Sequence, residues 1–125
     1  MEELLEFLDK YKVCYRIENG KVIGKVFDLS NRVITSLPKD IGRLECNILY
    51  LYNNNLKELP ISFGDIICKR VYIRKNKIPK HNIKYLDRVE NLKIVSTDYG
   101  NDLESVKQLC RVNTRKEKIL SVLNS

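Results

Sequence analysis

The chain has 125 residues and a formal net charge of +7, with 43% hydrophobic and 31% charged residues. That length suits one domain with a single core, and the composition excludes a disordered chain. No apolar run reaches the roughly 18–20 residues that span a bilayer. The acidic start, Met1-Glu2-Glu3, lacks the basic region of a secretory signal, so a cytoplasmic location is expected.

Residues 2–12 read as a short helix. Leu4, Leu5, Leu8 and Tyr11 recur at three- and four-residue spacing, with acids between them. Residues 13–29 read as strands around the turn signal Asn19-Gly20. Residues 1–21 are expected to cap one end of a repeated core.

A phrase then recurs every 22 residues. Phe27, Leu49 and Val71 correspond, as do Leu29, Leu51 and Ile73, and Ile34, Leu56 and Ile78. Pro38 matches Pro60, Gly42 matches Gly64, and Cys46 matches Cys68. A fixed period in this range signals stacked repeats. A fourth strand is expected at Leu92-Lys93-Ile94, 21 residues after Val71-Tyr72-Ile73, with Val89 in the place of Cys68. About four repeats thus occupy residues 22–98.

The tail changes period. Leu103, Val106, Leu109 and Cys110 are helically spaced behind the capping-box pattern Asn101-Asp102-Leu103-Glu104. A second pattern, Thr114 to Glu117, precedes Ile119, Leu120, Val122 and Leu123. Residues 99–125 are expected to close the other end as a helical cap.

The phrase Cys46-x-x-Leu49-x-Leu51-x-x-Asn54-x-Leu56-x-x-Leu59-Pro60 resembles the leucine-rich repeat family. The resemblance covers residues 22–98 and, with caps, the whole chain. It implies an α/β solenoid with a curved parallel β-sheet, an N-terminal helix and hairpin cap, and a C-terminal helical cap. It implies an intracellular, free-standing protein-binding domain. Asn54 and Asn76 fall just after the strands, where a side-chain amide can bond its own turn and the neighbouring repeat. Arg32 holds that place in the first repeat, and Thr97 holds it in the fourth.

The four cysteines, Cys14, Cys46, Cys68 and Cys110, form no CxxC pair, and thiols in a reducing compartment are expected. The Cys46/Cys68 spacing is open to two readings: stacked apolar thiols in the core, or a bridge.

All of the net charge lies in residues 69–93, which hold nine basic and two acidic side chains. Strand alternation sends Asp28, Tyr50, Tyr52, Arg70, Tyr72, Arg74, Lys75 and Lys93 toward one concave face. Tyr50 and Tyr72 are expected side by side, flanked by Asp28 and Lys93. Tyrosine and arginine are favoured in binding hot spots, so this face is expected to bind a protein partner with acidic groups. The second reading is nucleic-acid or anionic-surface binding by segment 69–93. No enzyme is expected. His81 is the only histidine, and no glycine motif cradles phosphate. No cofactor or metal ligand is expected either.

Overall fold

The computed structural model describes residues 1–111. The second tail helix proposed from Thr114 onward lies outside these residues. The chain begins with α1 (Glu2–Lys10), which buries Leu4 and Leu8. Phe7 and Tyr11, one turn apart, meet edge to face with ring centroids 5.1 Å apart. The helix ends at Tyr11, and Lys12 takes a left-handed φ of 57°.

Two short strands follow, β1 (Arg16–Glu18) and β2 (Lys21–Ile23). They pair antiparallel across Asn19 and Gly20, whose φ values are 51° and 75°. Two successive positive φ values make the turn that matches strand twist, and Asn-Gly tolerates them best. Next come β3 (Val26–Asp28), β4 (Leu44–Tyr50), β5 (Ile67–Tyr72) and β6 (Ile94–Ser96). The six strands form one sheet in the order β1-β2-β4-β5-β6, and β3 also pairs with β4.

This arrangement corrects the α/β solenoid expected from the family resemblance. The sheet is mixed: β1 runs antiparallel to β2, while the other pairs are parallel. The hairpin belongs to this sheet. Its second strand is hydrogen-bonded into the sheet, with Val22 opposite Leu44 and Ile23 opposite Glu45. The tight Asn19-Gly20 turn reverses the chain, and the reversal gives the sheet its antiparallel edge. At the far end, residues 103–111 are helical. Their cap is Asp102, whose carboxylate accepts from the Ser105 amide at 3.0 Å. The capping position is thus one residue later than Asn101.

Between the parallel strands the chain returns through 3-10 segments, Ile41–Arg43, Ile61–Asp65 and Lys80–Arg88. Pro60 and Pro79 precede the second and third segments, with φ near −65°. That fixed ring angle suits an extended residue before a tight turn. Strand residues Phe27, Leu49, Val71 and Val95 and return-path residues Ile41, Phe63 and Leu86 share one buried cluster. Each such side chain contributes about 2 kcal/mol by leaving water.

The period holds between β4 and β5 and fails before β6. Leu49 pairs with Val71, 22 residues on, but Val71 pairs with Val95. Ile67 bridges to Glu90, so part of the extra length is already present there. Asn91, with a φ of 70°, adds the rest as a kink. The expected strand Leu92-Lys93-Ile94 is therefore shifted to Ile94–Ser96.

Candidate functional site

The sheet register places the variable residues in rows. Asp28 pairs with Tyr50, Tyr50 with Tyr72, and Tyr72 with Ser96. A parallel row runs Val26, Ile48, Arg70 and Ile94. Beyond the strand ends, backbone bonds join Asn31 to Tyr52 at 3.2 Å and Asn53 to Arg74 at 2.9 Å.

Register partners in neighbouring strands stand close enough for their side chains to touch. The Tyr50 and Tyr72 rings stack with centroids 5.1 Å apart and planes 22° apart. Tyr52 meets Tyr50 edge on, at 6.2 Å and 80°. The three tyrosines, Arg74, Lys75 and Ser96 line a cleft of about 240 Å³. Arg70, Arg74 and Lys75 are exposed, and none of them forms an ion pair among the described residues.

Two expected members of the face stand differently. Asp28 lies beside Tyr50, but its carboxylate is engaged at home. Its Oδ1 accepts from the Ser30 amide at 3.1 Å and the Ser30 hydroxyl at 2.5 Å. Lys93 does not flank Tyr72; Ser96 does. The Lys93 amide instead donates to Lys69 O at 2.8 Å, which puts Lys93 in another row. Ile94 is a member that sequence reasoning missed, because the two extra residues before β6 carry no recognisable motif.

Backbone at the rim is held by side-chain amides. Asn54 Oδ1 accepts from the Arg32 amide at 2.9 Å and the Ile34 amide at 3.1 Å. Its Nδ2 donates to Leu29 O and Leu51 O, each at 2.9 Å. Asn76 repeats the pattern one phrase later, accepting from Leu56 and donating to Leu51 O and Ile73 O. In the next phrase the acceptor is Asp98, which takes the Lys75 amide at 2.9 Å. Thr97, by contrast, is buried and donates its hydroxyl to Gly100 O at 2.8 Å. Asn31, Asn53 and Lys75 follow with φ between 55° and 58°, so the chain turns alike at each strand end.

Other surfaces differ in character. A groove of about 600 Å³ beside α1 mixes acids Glu3, Glu6 and Glu58 with Lys10 and Lys39. His81 is exposed in the third 3-10 segment. Among the described residues no group of three or more His, Cys, Asp or Glu side chains is placed to hold a metal ion. Nor is any helix among them long and apolar enough to cross a membrane. No protein-family model matches the chain, and no curated protein matches it.

Proposed function

We propose that this protein is a non-enzymatic recognition module of the cytoplasm. Its tyrosine face takes a segment of another protein rich in carboxylates. One observation carries the reading: stacked Tyr50 and Tyr72 border a cleft whose cations, Arg74 and Lys75, have no ion-pair partner among the described residues. Rigid aromatic rings offer contact area at small entropic cost. Arginine offers a planar fork that fits a carboxylate. Asp28, the register partner of Tyr50, is tied to Ser30 by two hydrogen bonds, and Asp98 is tied to the Lys75 amide. Kinship with leucine-rich repeat proteins is part of this proposal and rests on the 22-residue phrase.

The test is a titration with glutamate-rich peptides, each carrying one aromatic or aliphatic residue, followed by NMR. Shift changes should gather on Tyr50, Tyr52, Tyr72, Arg74 and Lys75. The double variant Tyr72→Ala/Arg74→Glu should weaken binding at least tenfold. Unchanged affinity in that variant would remove the face from the proposal.

A second reading is favoured by the position of Lys93. Lys93 joins Lys69 through the backbone, as Asn47 joins Lys25, which makes a separate cationic row along the sheet. Such a row suits a phosphate backbone or an anionic surface, and its affinity should fall steeply with salt. Single-stranded RNA binding that is absent even at low ionic strength excludes this reading.

A further inference from the structure

Cys46 and Cys68 are direct register partners on neighbouring parallel strands, β4 and β5. Adjacent strands lie about 4.8 Å apart, inside the Cα separation a disulfide accepts. The sulfurs are 3.5 Å apart, and the Cys46 thiol donates to Cys68 Sγ. The Cys68 thiol can donate onward to Arg70 O at 3.1 Å. Inert core cysteines need no route to solvent, but this pair has one. Both line a pocket of about 350 Å³, together with Gly24, Asn47, Lys25 and Lys69. Cys46 is 7% exposed and Cys68 is fully buried, so solvent reaches the pair at Cys46.

We propose that Cys46 and Cys68 are a redox-active dithiol that a small hydroperoxide converts to a disulfide. This goes beyond the recognition reading and does not depend on it. One thiolate of the pair attacks the terminal peroxide oxygen. The O–O bond breaks, the released alkoxide or hydroxide takes up a proton, and that cysteine becomes a sulfenic acid. The other cysteine then loses its proton and attacks that sulfur. The S–S bond forms as the S–O bond breaks, and water leaves. Two thiols are oxidised and one peroxide is reduced.

The shared hydrogen bond sets the two thiols apart. Donation from Cys46 holds the Cys68 thiol below its ordinary range. The same bond, with burial, pushes the Cys46 thiol up. Lys25 and Lys69 on the pocket rim favour the anionic oxygen that leaves. Closure must draw the sulfurs in to about 2.05 Å, which ties β4 to β5 four residues before Tyr50 and Tyr72.

Hydrogen peroxide applied to the reduced protein tests this, followed by alkylation, trypsin and mass spectrometry. Trypsin cuts after Lys57, between the two cysteines, so a disulfide links peptides 44–57 and 58–69. That linked pair should appear, weigh two hydrogens less than its parts, and separate on adding dithiothreitol. Its melting temperature should rise with the linked fraction. In Cys46→Ser and in Cys68→Ser the linked pair should not form. Exposed Cys14 serves as the control for dose. If Cys14 is oxidised while 44–57 and 58–69 remain alkylated thiols, the dithiol is an inert core contact and the proposal fails.

Discussion

Asn54 and Asn76 converge on one carbonyl. Both side-chain amides donate to Leu51 O, Asn54 at 2.9 Å and Asn76 at 3.0 Å. Leu51 is fully buried and lies just past the end of β4. Each amide therefore joins its own turn to the preceding phrase, and the shared oxygen ties the two joints together.

Replacing Asn54 by Ala should cost about 3 kcal/mol, because it strands the Arg32 and Ile34 amides and weakens Leu29 O. Asn54→Asp should cost a similar amount. It keeps an acceptor for the two amides but sets a carboxylate oxygen against Leu29 O and Leu51 O. Urea denaturation of both variants checks this. A loss below about 1 kcal/mol in either would mean that water replaces the amide freely.

Two equivalent glycines should respond differently to alanine. Both are buried in 3-10 segments one phrase apart. At Gly42 an added Cβ would meet the Ser62 carbonyl and stand 2.8 Å from Asp65 Cβ. Those atoms belong to the next return segment and cannot move alone. At Gly64 the nearest atom is Arg88 Nε at 2.6 Å, at the end of a long, exposed side chain that can swing aside and leave Arg88 Cβ, at 3.0 Å, as the tight contact. Gly42→Ala should lose about 2 kcal/mol and Gly64→Ala about half of that. Equal losses in thermal unfolding would show that Arg88 is as fixed as backbone. Its bond to Ile61 O, at 3.2 Å, is the contact that could fix it.

What the sequence made legible follows the regularity of its spacing. The pairing of Tyr50 with Tyr72 needs only the 22-residue offset and strand alternation. The tight turn at Asn19-Gly20 is equally local. The hairpin's attachment to β4 is not local. Val22 is one apolar residue in a three-residue strand, and it would look the same in a detached cap. The displacement of Lys93 turns on the extra residue already present at Glu90 and on Asn91 at φ 70°, neither of which a spacing rule announces. The engagement of Asp28 with Ser30 was also hidden, because an exposed strand position reads the same whether its carboxylate is free or bonded.

Val33 offers a gain in stability. It holds a φ of 58°, although it is β-branched, and its side chain is 79% exposed. The left-handed region costs such a residue about 1–2 kcal/mol. Asparagine tolerates that region and gives up no buried contact here. Val33→Asn should raise the unfolding free energy by about 1 kcal/mol, read as a higher urea midpoint at unchanged slope. A lower midpoint would show that Val33 makes a contact in solution that outweighs its backbone strain.

Asp102 gives the tail helix a dependence on acid. Its carboxylate accepts from the Ser105 amide at 3.0 Å and the Ser105 hydroxyl at 2.8 Å, and these bonds hold its pKa below the ordinary range. The folded value lies under the unfolded one, so the charged cap stabilises the helix above the unfolded value, near pH 4. That contribution falls away as pH drops through the folded value. The amide of Ser105 should therefore lose exchange protection below about pH 4, ahead of the buried strands β4 and β5. Asp102→Asn keeps an accepting oxygen without the charge, and it should flatten the acid response while holding most of the helix. If wild type and Asp102→Asn fray alike with falling pH, another carboxylate governs the tail. Asp87, which pairs with Arg111 at 3.8 Å, is then the group to replace.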